Sequence, residues 1–293
     1  MAILPDRPGI EVTVRIQDPE GQSNPLASVA SSDRPRTPNP PPDAVEYPSR
    51  GEKDRANSST RYIEAIPDAD FSIVIKFTAR NAELEGYSLG LCIYVDGMRV
   101  QGSVIDLKSH ASQRACWYVC DGAMGWEGGR WVQRSLRFDR LVVGEFSPLP
   151  VVVKKEGGGL IWCADRNARE SLYQTQFERA QCLGEIKARF YRVQEVGRIP
   201  HRDCPSPTSP TGLVKFNKVA ERALKEKAID LQATTGNVKR TFGRCGRVLT
   251  EQIDPTDEPW AEFTFRYRSW EALEEEGIPP KSPPPATTFD FLN

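Results

Sequence analysis

Two cysteines, Cys116 and Cys120, frame the stretch "CWYVC", and His201 and Cys204 frame "HRDC". Thiolates and imidazoles are the usual ligands of zinc, which holds them at ~2.0–2.3 Å from a single ion. On a strand, residues four apart share a face but stand ~13 Å from each other. Cys116 and Cys120 therefore suit neither one ion nor a disulfide, which needs Cα atoms within ~7 Å; they read as small buried apolar side chains. His201 and Cys204 have a spacing that a loop can use for metal. A second pair is missing: the only other histidine is His110, and no other tight Cys/His cluster exists. They read as part of a proline-rich loop, and no metal or cofactor is expected.

The pattern for nucleophilic catalysis is equally thin. His110 lies in "DLKSHASQ" near Asp106 and Ser112, but a triad is defined by convergence in space, and no G-x-S-x-G elbow is present. His110 is taken as a loop residue between strands. "DGAMGWEGGRW" (Asp121–Trp131) is glycine-rich without either phosphate-loop spacing, and a strand follows it in place of the helix a phosphate cradle needs. It reads as a wide hairpin connection. Trp126 in its middle either folds back as a plug or protrudes as a recognition anchor. With Trp131 and the glycines it also suits a sugar platform. Glu274, Glu275 and Glu276 are helix neighbours pointing in different directions, whereas glycosidases need two facing carboxyls ~5–9.5 Å apart. No catalytic residue is assigned, and the chain is read as non-enzymatic.

The elements that must position these residues are mostly strands. "GIEVTVRI" (Gly9–Ile16), "RYIEAI" (Arg61–Ile66) and "FSIVIKF" (Phe71–Phe77) open the series; the last is apolar at every second residue. "LGLCIYVDGMRVQGSVI" (Leu89–Ile105) is two runs joined at Asp96-Gly97, a strong hairpin signal because a type I′ turn needs positive φ at both central residues. "ACWYVC", "RWVQRSLRF" and "LGEIKARFYRVQEV" continue the pattern. Lys215–Leu231 has an amphipathic helical stripe with a basic opposite face. Trp270–Gly277 is a second helix with Ser269 as N-cap. The expected fold is an all-β antiparallel sandwich, jelly-roll-like or immunoglobulin-like, with one or two peripheral helices near the C-terminus.

Composition sets the organisation. The chain has 293 residues, and its 39 basic and 40 acidic residues balance. That argues against an electrostatically dominated nucleic-acid or membrane binder. Gln17–Thr60 is rich in Pro, Ser, Asn and charge, and reads as a disordered insertion in a single domain spanning 1–278. Arg198–Gly212 is a proline-rich linker, and 279–293 is a flexible tail. Thr37, Ser206, Ser209 and Ser282 precede prolines in these segments and are candidate sites for proline-directed phosphorylation. The opening "MAILPDRPGIEV" lacks a secretion-signal core, and no stretch approaches the ~20 apolar residues that span a bilayer. Seven cysteines at irregular spacing then point to free thiols in a reducing compartment, cytoplasmic or nuclear.

"ILPDRPGIEVTVRI", "RYIEAIPDADFSIVIKF", "LGEIKARFYRV" and "FTFRYRSWEALEEEGIPPKSP", in this order, resemble a fungal family defined by a domain of unknown function. Its members open with a "GIEV-V-V" strand, carry a "YIEA" strand, and close with an aromatic strand ending "YRS", a short helix and "IPP". The resemblance covers both ends and much of the middle. It implies a fungal intracellular protein and carries over no catalytic residue. The long proline-rich insertion departs from the family's shorter link.

In the closing strand Phe263, Phe265 and Tyr267 alternate onto one face, and Thr264, Arg266 and Arg268 onto the other. Three rings on one face bury readily, so the strand is read as core. Arg266 and Arg268 are left on its outer face and, with Trp126, are the candidate partner contacts. The expected function is a non-enzymatic interaction module with an unknown protein partner. The alternatives are a chromatin- or nucleic-acid-associated accessory protein and a carbohydrate-binding or carbohydrate-active sandwich.

Overall fold

The computed structural model describes residues 2–4, 9–17, 42–49, 55–77, 87–106, 116–127, 130–143, 152–154, 160–162, 180–199, 224, 228–242 and 247–278. The strands are β1 (Ala2–Ile3), β2 (Ile10–Gln17), β3 (Glu46–Pro48), β4 (Ser58–Glu64), β5 (Asp70–Phe77), β6 (Ser88–Val95), β7 (Met98–Ile105), β8 (Cys116–Cys120), β9 (Ala123–Glu127), β10 (Arg130–Arg140), β11 (Val152–Lys154), β12 (Leu160–Trp162), β13 (Glu185–Ile199), β14 (Leu231–Phe242), β15 (Arg247–Gln252) and β16 (Ala261–Arg268). The α-helix α1 (Trp270–Glu275) follows β16. His110, His201, Cys204, Thr37, Ser206, Ser209 and Ser282 lie outside the described residues.

Two seven-stranded sheets form the body. The first runs β1-β2-β5-β10-β14, with β8 also on β5 and β9 also on β10; the second runs β3-β4-β16-β13-β6-β7, with β15 also on β13. β11 and β12 make a separate two-stranded ribbon. Period-two burial supplies the inner faces. Val12, Val14, Phe71, Ile73, Ile75, Leu136 and Phe138 of the first sheet share one core with Leu89, Leu91, Ile93, Ile186, Phe190, Phe263 and Phe265 of the second. The rings interlock: Phe71 stacks on Phe138 at 4.1 Å, and Phe190 meets Phe263 edge-on at 5.9 Å. The expected all-β sandwich is observed.

The local signals act where they were read. Asp96 (φ 49°) and Gly97 (φ 74°) turn β6 into β7 in the left-handed region. An added Cβ at Gly97 would lie 2.9 Å from Cys182 Cβ. Ser269 caps α1 by accepting the Ala272 N–H at 3.2 Å.

Four features depart from the sequence reading. The sandwich is not wholly antiparallel, because β4 runs parallel to β16 from Ser58↔Glu262 to Glu64↔Arg268. Part of the stretch expected to be a disordered insertion is built into the second sheet. There β3 pairs with β4, and Tyr47 is buried against Leu273 and Ile278. The expected helix ending at Leu231 does not reach it, since Leu231 is the first residue of β14; most of Lys215–Asp230 lies outside the described residues. The glycine-rich connection contains a strand, β9, which pairs with β10.

Candidate functional site

Trp126 is not at a loop tip. It sits on β9 directly opposite Trp131 of β10, half-buried, with the two indoles edge-to-face at 5.4 Å. Each ring covers part of the other, so Trp126 acts as a cross-strand partner. A more exposed tryptophan, Trp117 of β8, is 56% accessible beside Val119 at 49%. Lys76 lies over its ring at 5.5 Å. Cys120, on the same strand, is fully buried, and burial pushes its thiol up to about 12. Cys92, Cys116, Cys120 and Cys182 are all unbonded thiols.

Arg266 and Arg268 have different fates. Arg266 stays partly exposed on the outer face of the second sheet, 3.7 Å from Glu185 and over the Tyr62 ring. Arg268, expected on the solvent face, is only 3% exposed. The alternation is right, but α1 folds over that end of the outer face. The Arg268 guanidinium donates to the Gly184 and Tyr267 carbonyls at 3.1 and 2.8 Å and pairs with Glu276 at 3.0 Å. It is a structural clamp, unavailable to a partner.

The rest of that outer face is a ladder of paired charges. Arg189 bonds Glu262 at 2.5 Å and lies over Tyr94. Lys187 pairs with Glu185 at 2.8 Å. A phosphate approaching these cations meets a neighbouring carboxylate at each one, which weakens the electrostatic term on which nucleic-acid binding depends.

Beneath the Arg268 end of the sheet lies a buried carboxylate. Asp96 accepts the Tyr267 hydroxyl at 2.7 Å, the Gly184 N–H at 2.9 Å and the Ala233 N–H at 2.7 Å. Burial pushes its pKa up to about 6, against the hydrogen bonds that hold it down. Burial, and then the charge on Asp96, push the Tyr267 phenol well above its usual value. Ala233 belongs to β14, so the cluster joins the two sheets. Every contact here is to the protein's own backbone or to Tyr267, so the group serves the fold.

Among the described residues, one solvent-exposed apolar element is a ribbon. β13 pairs with β16 and β6 along its first half, then from Val193 to Ile199 with β15 instead. Beyond Val193 the side chains of both strands turn outward. Val196 is 60% exposed, Leu249 44% and Val248 38%, with Ile253 at 42% just after β15. The base is rigid. Arg192 pairs with Asp254 at 2.5 Å, the Arg192 N–H donates to the same carboxylate at 2.6 Å, and the Ile253 N–H returns to the Arg192 carbonyl at 2.9 Å. Tyr191 adds a bond to the Thr256 carbonyl at 3.0 Å. Among the described residues nothing pairs with the outer edge of β15.

Residues 42–156 and 163–282 match the protein family described as a domain of unknown function, DUF7918. The chain belongs to this family. No curated protein and no solved structure matches it. The DUF7918 match takes in the ribbon, the Asp96 cluster and α1. It begins after β2, although β2 is a full member of the first sheet, hydrogen-bonded along the length of β5.

The ribbon of this DUF7918 chain was missed at the level of sequence. "RVLTEQ" has two adjacent aliphatics and no period-two run, and "QEVGRI" reads as the tail of a core strand. The available signal was length: β13 has 15 residues, more than a typical strand of about 5–6, so one end had to outrun its neighbours. Among the described residues no three His, Cys, Asp or Glu side chains gather as metal ligands, and no helix is long and apolar enough to cross a membrane.

Proposed function

We propose that this chain is a non-enzymatic, intracellular protein-interaction module and that the β13–β15 ribbon is its partner-binding element. One observation carries the proposal: a rigidly based ribbon holds Val196, Val248, Leu249 and Ile253 in solvent, and the outer edge of its strand β15 pairs with nothing among the described residues. Long apolar edges are what proteins normally blunt or cover. An extended partner added to such an edge gains main-chain hydrogen bonds and pockets for alternate side chains. The unbonded thiols of Cys92, Cys116, Cys120 and Cys182 fit a reducing compartment. The paired charges around Arg189 and Arg266 favour a protein partner over nucleic acid.

A photo-cross-linking side chain at Leu249 of the full chain, activated in host extract, tests the proposal. A discrete adduct is expected at Leu249 and not at Lys239, an exposed position on β14. Equal labelling at the two positions would remove the ribbon from consideration. Retention on DNA that falls steeply with salt, in place of a protein adduct, would favour the nucleic-acid alternative.

A further inference from the structure

Resting on the ribbon as the partner-binding element, we infer that its partner is a second copy of this chain, joined edge to edge through β15 about a two-fold axis at Leu249. The hydrogen-bond pattern of β15 sets the register. The Ile253 N–H is given to the Arg192 carbonyl. In an antiparallel ladder the direction of the backbone groups alternates. Residues 249, 251 and 253 thus turn their N–H and C=O groups toward β13, and Val248, Thr250 and Gln252 turn theirs away, toward the open edge.

A second β15 lying antiparallel on that edge must match outward groups with outward groups. Centring the pair on Leu249 does so. Val248 of each copy faces Thr250 of the other in a hydrogen-bonded pair. The two Leu249 residues face each other in the closer, non-hydrogen-bonded pair, with Cα atoms ~4.5 Å apart. Position 247 then lies opposite position 251 of the other copy, an arginine against a glutamate, once on each side of the axis. Apolar side chains occupy the middle and opposite charges flank them, so an interface built from one strand is complementary to itself. Shifting the centre to Thr250 also satisfies the backbone, but it sets Leu249 against Glu251 and loses both ion pairs. A centre between Leu249 and Thr250 opposes inward groups to outward ones and fails. The open edge, the exposed leucine and the charge pattern select one register.

Sedimentation velocity on the full chain, from low to high micromolar concentration, tests this. The expected result is a reversible dimer. Thr250→Pro should abolish it and, at concentrations where wild type is monomeric, leave the melting curve unchanged, because the N–H removed points to solvent and none is taken from the β13 ladder. Arg247→Glu and Glu251→Arg should each weaken the dimer by about tenfold or more, and the two together should restore it. A chain that stays monomeric throughout, a dimer indifferent to Thr250→Pro, or a double variant that fails to recover would overturn the pairing. A monomeric chain that still gives a Leu249 adduct with a different protein would sink the self-pairing and leave the ribbon's role standing. A monomeric chain with no such adduct would sink both.

Discussion

The Tyr267 hydroxyl lies 2.7 Å from each carboxylate oxygen of Asp96. Tyr267 is the last inward-facing ring of β16, and Asp96 opens the β6–β7 turn. The Asp96 carboxylate is also held by the N–H groups of Gly184 and of Ala233 on the opposite sheet. A buried carboxylate is tolerated only when its lone pairs are used, and here three donors use them. Tyr267→Phe removes one donor while keeping the ring that packs 4.9 Å from Phe138. The expected cost is ~1.5–3 kcal/mol, the range for hydrogen bonds to charged groups, read from denaturant midpoints. The Asp96 carboxyl should titrate at higher pH in the variant, as followed by carboxyl NMR. An unchanged titration would mean that the phenol does not bond the charged form.

The same carboxylate makes stability depend on pH with a definite sign. Burial raises Asp96 from 3.8 to about 6, so between those values the folded chain binds a proton that the unfolded chain has lost. Stability from this group is therefore greatest below the unfolded value and declines as pH rises through the folded one. The slope cannot exceed ~1.4 kcal/mol per pH unit. Glu46 and Glu64 are also raised by burial and act in the same direction, so the test is a difference. The stability of wild type minus that of Asp96→Asn, from urea melts across the acid range, should fall between about pH 4 and pH 6. A flat difference would show that Asp96 does not carry a desolvated charge.

What was legible in the sequence was what neighbours in the chain determine. Asp96-Gly97 marked its turn because few other pairs accept positive φ twice, and Ser269 marked a helix start because its hydroxyl reaches an N–H three residues on. Phe263, Phe265 and Tyr267 marked a face by alternation alone. What was not legible depends on contacts far along the chain. β4 and β16 pair in parallel across about 200 residues, and no local pattern encodes a partner at that distance. β14 hides in "LQATTGNVKRTF", whose threonines and lysine carry little apolar signal. It is a strand because β10 supplies its ladder from Trp131↔Phe242 to Arg140↔Leu231. The ribbon follows from where β16 and β6 end, a property of the neighbours and not of β13 itself.

Phe265 tests the core reading directly. Its side chain is fully buried, on β16 between Ile186 of β13 and Arg61 of β4. Phe265→Ala deletes a ring from a region already filled by Phe190 and Phe263, and collapse around it is resisted by both sheets. The expected loss is ~3–5 kcal/mol, a large part of the ~5–15 kcal/mol that holds a typical domain together. Chemical denaturation is the measurement, and a variant as stable as wild type would mean that the strand's rings are not in the core.

Arg266 and Arg268 provide the sharpest contrast, because they are two residues apart on the same face of one strand. Arg266 has a quarter of its side chain in solvent and a 3.7 Å contact to Glu185. At 3.7 Å the pair is long and only partly covered, and loose pairs of this kind contribute ~0–1 kcal/mol, so Arg266→Ala should shift the urea midpoint little. Arg268 is enclosed by α1 and supplies the donors for two buried carbonyls and the counter-charge for Glu276. Arg268→Ala takes a donor from each carbonyl, although the Gly184 carbonyl keeps the Tyr267 N–H at 3.0 Å, and removes the counter-charge from Glu276. Removing one member of a buried pair costs ~3–5 kcal/mol. Gly184, at φ 75°, holds the carbonyl that Arg268 bonds and gives its N–H to Asp96. Damage should therefore spread to the Asp96 cluster, and Arg268→Ala combined with Tyr267→Phe should depart from additivity by ~0.5–3 kcal/mol. If Arg268→Ala unfolded at the wild-type midpoint with an unchanged m-value, the guanidinium would have to be in solvent, α1 would not cover the sheet at this end, and Arg268 would return as a contact residue.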